Sequence, residues 1–326
     1  MRGNHIMRKR FASFAAAGLL AGLIPAVPAT AALVTHCIGT GGAVTVPNDL
    51  LVPAGESCSL TGTVVTGNIS VQAGANLVVA GGKFSGEVRV AGNGYLDAST
   101  TTIDGPVILA AGGYGVFLKD ASSGTVTVRA KGTTTIDSFL FVENSTITGN
   151  VSAQAGEVRL DNNTSVTGSL NSTGSYYTDV HDSFVDGALS VLNSATGSVV
   201  CGSSVRGKAT FAGNLGGVQL GPNGPLDSCA SGGFFGKDVS VTSTTGGVTV
   251  DDNIIDGTLT ATGNNPAAQI AVNNRIRKGT VTDSAAAAAR SAAPRPAAPR
   301  TDDSAKAEER RTDAVQEATA AGPADL

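Results

Sequence analysis

Gly67-Asn68-Ile69-Ser70-Val71 returns as Gly86-Glu87-Val88-Arg89-Val90, then as Gly105-Pro106-Val107-Ile108-Leu109, then as Gly124-Thr125-Val126-Thr127-Val128. Each start lies 19 residues after the last. Nineteen residues before Gly67, Asn48 opens Asp49-Leu50-Leu51-Val52, and the following turn repeats too, Pro53-Ala54-Gly55 against Gln72-Ala73-Gly74. Later starts are Gly149, Gly168, Gly187, Gly207, Gly236, Gly257 and Gly279, at steps of 19 to 22 apart from 25 before Gly149 and 29 before Gly236. Apolar residues recur two before most starts (Phe84, Ile103, Ile147, Val166, Val185, Val205, Phe234, Ile255). They recur seven before others (Val79, Phe117, Val142, Val180, Val200, Val250, Val272).

Each unit therefore holds three short pieces of period-2 alternation divided by turns, which is strand patterning too short for helix. One unit cannot bury its apolar face, but units stacked at ~4.8 Å can, each strand pairing with its equivalent one repeat later. The expectation is an all-β, single-stranded, right-handed parallel β-helix of about eleven coils, roughly 50 Å long, with handedness following the usual crossover rule. It is assigned residues 48–283, with 32–47 as an N-terminal cap and 284–326 as an Ala/Pro-rich and charged disordered tail.

Composition agrees with this. The 326 residues include 43 Gly, no Trp and only 14 Phe or Tyr, so the core must come from Val, Ile, Leu and Ala. Charged residues are 15%, against about 25% in ordinary domains. Coiled-coil, collagen-like and basic nucleic-acid-binding chains are excluded. At the N-terminus, Arg2, Arg8, Lys9 and Arg10 precede an apolar run from Phe11 to Ile24 and the small-residue site Ala29-Thr30-Ala31. Together these read as a signal peptide over 1–31. Without it, 18 basic residues face 26 acidic ones, a net charge of −8. A secreted or surface location follows, with no membrane span in the mature chain and no nucleic-acid partner.

Cys37, Cys58, Cys201 and Cys229 form an even set without a C-x-x-C spacing, which in an exported chain indicates disulfides rather than metal. Cys201 lies six before Gly207 and Cys229 seven before Gly236, so the repeat sets them on neighbouring coils, within disulfide reach. Cys201–Cys229 is expected to pin the loop around Gly221-Pro222-Asn223-Gly224-Pro225, and Cys37–Cys58 to tie the N-terminal end to the first coil.

The xGxVxV coils resemble secreted right-handed parallel β-helix proteins of the pectin-lyase-like architecture. They are similar to small exported actinobacterial β-helix proteins without assigned activity, over residues 48–283. The Gly-x-Val pattern is also similar to that of bactofilins, cytosolic filament formers, from which the export signal and cysteines separate it.

Chemistry-bearing residues are sparse. Glu143, Asp161 and His181-Asp182 fall at or beside one register on three consecutive coils, with Tyr176 and Tyr177 just before the last. Carboxylates ~5 Å apart can act as acid and base on sugars, and aromatic faces can line a glycan site. Asp104, Asp186 and Asp256, each before a starting Gly, sit too many coils apart to cooperate. Asn144, Asn163, Asp182, Asp252 and Asn274 read as turn residues suited to the left-handed conformation. Thr125-Val126-Thr127 and Thr258-Leu259-Thr260 are flat hydroxyl pairs separated by coils bearing other side chains. No nucleophile, metal or phosphate motif occurs, and no cofactor is expected. Two functions follow. One is a non-catalytic rod that contacts cell envelope, extracellular polysaccharide or its own copies. The alternative is a carbohydrate-active enzyme or glycan-binding module built on residues 143–182.

Overall fold

The computed structural model describes residues 33–283 and 304–326. Every strand pairs in parallel with its equivalent one repeat away, giving sheets of thirteen, twelve and twelve strands. The chain is thus an all-β parallel solenoid of twelve turns plus one final strand, Thr280–Thr282. The signal-peptide segment 1–31 and the linker 284–303 lie outside the described residues.

The repeated glycine has a steric origin. A Cβ on Gly105 would strike the carbonyl of Gly86 one coil below, and a Cβ on Gly86 that of Gly67. Glycine lets successive corners approach at strand spacing. Inward residues stack in columns, such as Ile69, Val88, Val107 and Val126 in the first sheet and Leu77, Leu96, Val116 and Leu140 in the second. They fill one continuous apolar bore.

Polar ladders join the corners. Asp49 Oδ1 accepts from Asn68 N, and Asn68 Oδ1 accepts from Glu87 N. At the corner between the second and third sheets, Asn253 Oδ1 accepts from Gly233 N and Asn274 Oδ1 from Asn253 N. Asn144, Asn163, Asp182 and Asp252 have positive φ (45°, 63°, 46° and 55°), as their turn role requires. Asn274 does not share that conformation and contributes through its amide.

The structure corrects five expectations. Residues 34–46 are not a cap but the first full turn, because Val34–His36, Gly39–Gly41 and Thr45–Val46 each pair with the next coil. Phe117 points out of the bore while Leu118 points in. The 19-residue step from Gly105 to Gly124 hides an extra residue before Gly115, offset by one fewer after Ser123. Likewise Phe235 is the inward residue and Phe234 is exposed, and Val272 is 75% exposed at a turn. Finally, residues 304–326 are ordered. They form the helix α1 (Ser304–Ala321) and a terminal strap, both packed on the solenoid.

Helix α1 runs along the rod over the outer face of the second sheet. Lys306 Nζ meets Glu157 Oε2 at 3.2 Å, Arg311 meets Asp97 at 3.0 Å, and Glu317 Oε2 accepts from Ser57 Oγ at 2.6 Å. The helix therefore descends from the seventh coil towards the first. Eighteen residues span about 27 Å, which matches five or six strand spacings. The strap then adds to the free edge of Gly39–Gly41: Thr40 N donates to Gly322 O and Ala324 N to Thr40 O, both at 2.8 Å. Leu326 packs against the core beside Leu60. The C-terminus thus closes the N-terminal edge of one sheet, the kind of edge that invites pairing with another chain.

Candidate functional site

Glu143 and Asp161 are register partners on adjacent strands, as the repeat spacing implies. Lys119 sits below Glu143 in the same column and reaches it at 3.5 Å. Above Asp161, the column continues to His181, whose own register partner is Cys201. Asp182 sits in the turn, its Oδ2 3.3 Å from His181 Nδ1. Four of the candidate residues are therefore gathered along one edge of the second sheet.

The tyrosines do not join them. Tyr177 begins the strand that His181 ends, so about 13 Å separates them along the chain. Tyr176 lies at the corner before it and is 53% exposed. A groove of about 300 Å³ at Gly217, Leu226, Gly247 and Pro266, and a wider one at Ser204, Phe234, Ile254 and Arg275, include none of the six residues. Asp104, Asp186 and Asp256 each pair with a cation of a neighbouring coil, Lys83, Arg206 and Arg277. They are spaced along the rod, as their spacing in the sequence implied.

Both expected disulfides are present, Cys37–Cys58 and Cys201–Cys229, with Cα separations of 5.6 and 5.5 Å. Two disulfides suit an oxidising, extracellular environment. Among the described residues no helix is long and apolar enough to cross a membrane. The 221–232 loop pinned by Cys229 folds back over the second sheet, where Gln219 Oε1 accepts from Leu226 N and Asp227 N.

Two surface features were missed from sequence. The first is the polar and aromatic face under α1. Tyr95, Tyr114, Phe117, Phe139 and Phe141 form a second cluster outside the bore, with Phe139 and Phe141 stacked at 4.4 Å. Lys306 Nζ lies 5.0 Å from the Phe139 ring and Arg310 Cζ 5.0 Å from the Tyr114 ring. Buried Asp97 accepts from Tyr95 OH at 2.8 Å. Burial pushes the Asp97 carboxyl and the Tyr95 hydroxyl well above their ordinary pKa values, and Arg311 opposes the shift at both.

The second is a continuous column on the outer face of the first sheet. Thr127, Ser152, Asn171, Ser190, Thr210, Ser240 and Thr260 are register partners on seven successive strands. Thr127 and Thr260, each in a Thr-x-Thr pair, are its two ends. The intervening coils do not interrupt it, because the Ser hydroxyls and the Asn171 carboxamide, like the Thr hydroxyls, both donate and accept hydrogen bonds.

Fold and surface define the class: a disulfide-bonded parallel β-solenoid whose own helix α1 and the strap after it cover the second sheet from the seventh coil to the first. Comparison with known protein families, with curated proteins and with solved structures finds no match.

Proposed function

We propose that the chain is a non-catalytic structural or adhesive rod, exported by its N-terminal signal, whose first sheet contacts envelope or extracellular polysaccharide. The observation that carries this reading is the seven-strand column from Thr127 to Thr260. Hydroxyl and amide groups both donate and accept, which suits sugar hydroxyls. Their ~4.8 Å spacing repeats over nearly 30 Å, so many weak contacts add along an extended polymer. The acidic balance of the mature chain favours a neutral rather than a polyanionic glycan. The pairing of Glu143 with Lys119 and the distance from His181 to the tyrosines also support a binding surface without turnover.

The test is co-sedimentation of the purified protein with insoluble neutral polysaccharides and isolated cell envelopes, with assay for new reducing or unsaturated ends. Saturable binding without product is expected, lost in the triple variant Asn171→Glu, Ser190→Glu, Thr210→Glu and retained in Glu143→Gln. New chain ends that vanish in Glu143→Gln would establish the enzymatic alternative instead.

A further inference from the structure

We propose that His181, Cys201 and Cys229 form a latent zinc site that the Cys201–Cys229 disulfide closes and reduction opens. A ring nitrogen of His181 and both sulfurs lie within 4.8 Å of one another, the one such cluster of three His, Cys, Asp or Glu donors among the described residues. The tetrahedral edges of a site with Zn–S near 2.3 Å and Zn–N near 2.0 Å measure roughly 3.5–3.8 Å, so small side-chain adjustments suffice.

His181 supplies the second, independent observation. Its Nε2 is buried with no hydrogen-bond partner. Buried polar atoms are nearly always paired, so an unpartnered imidazole nitrogen calls for a cause. Its Nδ1 faces Asp182 Oδ2 at 3.3 Å. A carboxylate on one ring nitrogen holds the proton there and leaves a lone pair on the other, the arrangement that metal-binding histidines use. His181 and Cys201 are fixed as register partners on rigid strands. Cys229 comes from the 221–232 loop and is partly exposed, so it is the ligand that can both be reached by a reductant and adjust its position. Among the described residues no such cluster forms at Cys37–Cys58, which serves as an internal control.

The chemistry balances with a dithiol as reductant. Two electrons and two protons pass from the dithiol to the Cys201–Cys229 bond, and the dithiol ends as a cyclic disulfide. Zn²⁺ then displaces both thiol protons and takes two thiolates and a neutral imidazole, with water in the fourth position. The ion would hold the 221–232 loop against the coil as the disulfide does.

The test is zinc competition against a chromophoric chelator, using the full chain oxidised and after reduction with a phosphine, which competes little for zinc. Circular dichroism confirms that the coils persist. One zinc per reduced chain is expected and none per oxidised chain. His181→Gln and Asp182→Asn should each bind at least tenfold more weakly when reduced, and Cys201→Ser/Cys229→Ser should bind none. Cobalt substitution should give thiolate-to-metal absorption that the double variant lacks. Equal affinity in His181→Gln and wild type, binding by the oxidised chain, or no zinc on the folded reduced chain would each overturn the site.

Discussion

Arg311 Nη1 lies 3.0 Å from Asp97 Oδ1 across 214 residues of chain, and the Asp97 side chain is fully buried beneath α1. Arg311 also donates to Ser99 Oγ at 3.0 Å. This pair is the centre of a docking surface whose only fully buried helix residues are Ala307, Ala314 and Ala318. Alanines bury little area, so charged and aromatic anchors must hold the helix.

Arg311→Ala leaves a buried carboxylate without its cation. Breaking a buried pair this way costs about 3–5 kcal/mol, but α1 can undock and hydrate Asp97, so the loss is capped by the docking free energy of the helix. The pH dependence follows from the raised pKa of Asp97. A carboxyl whose folded pKa exceeds its unfolded value of 3.8 favours the folded state at low pH, and this contribution fades as pH rises through the folded pKa. Removing Arg311, which lowers that pKa, raises it further. Thermal melts of wild type and Arg311→Ala should therefore differ most near pH 7 and converge as acid neutralises Asp97. A difference independent of pH would refute the role of this pair.

Gly39 reports on the strap. Its φ is +98°, and a Cβ there would strike the carbonyl of Gly322. Gly39→Ala should release residues 322–326 while the coils persist. Amide exchange at Thr40 and Ala324 should accelerate by at least tenfold, with protection unchanged at Val107 and Val126. Uniform loss of protection would mean that the strap is integral to the fold.

The solenoid was legible because its physics is periodic: a glycine that permits close stacking and a branched aliphatic two and four residues later recur at nearly fixed steps. Paired deviations were hidden, as between Gly105 and Gly124, where an insertion and a deletion keep the total at 19. A short helix over roughly 303–320 is compatible with the tail's sequence, but its docking was not legible because the anchoring groups, Lys306, Arg310, Arg311 and Glu317, read as a solvated charged tail. Its counterpart left a readable sign in Phe139-Leu140-Phe141-Val142, an unbroken apolar run where alternation should hold, the mark of a strand covered on both faces. Of the candidate site, Glu143, Asp161 and His181 followed from register alone. The column from Thr127 to Thr260 mixes Thr, Ser and Asn, so no single residue type announced it.

Asn253 tests the corner ladder. Its side chain accepts from Gly233 N at 2.8 Å and its Nδ2 donates to Leu220 O and Asp251 O at 2.9 and 2.8 Å, all buried. Asn253→Ala takes these bonds from Gly233 N and Asp251 O, while Leu220 O keeps its bond from Asp251 N; each buried group left unpaired costs about 1–3 kcal/mol at most. A drop of about 3 kcal/mol in unfolding free energy is expected by denaturant titration. Asn253→Asp should be no better, since a carboxylate keeps the acceptor but loses both donations. Wild-type stability in either variant would show that the ladder is not energetically coupled.

Cys37–Cys58 joins the first two coils over a sequence separation of 21 residues, close to the end that the strap covers. A loop of that size contributes about 3 kcal/mol by restricting the unfolded chain. The terminal coil has only one neighbouring coil, with the short strap at Thr40 on its other side, so its packing is weaker than that of interior coils, and the loss should appear there first. Cys37→Ser/Cys58→Ser should fray residues 33–46, exposing backbone amides of the first turn and the apolar end of the bore. The strap pairs with that same turn through Thr40, so its protection should fall together with it. Hydrogen exchange that opens 33–46 and 322–326 together, with residues 88–128 unchanged, is the expected pattern. Opening of the strap alone would place the disulfide's effect outside the first coil.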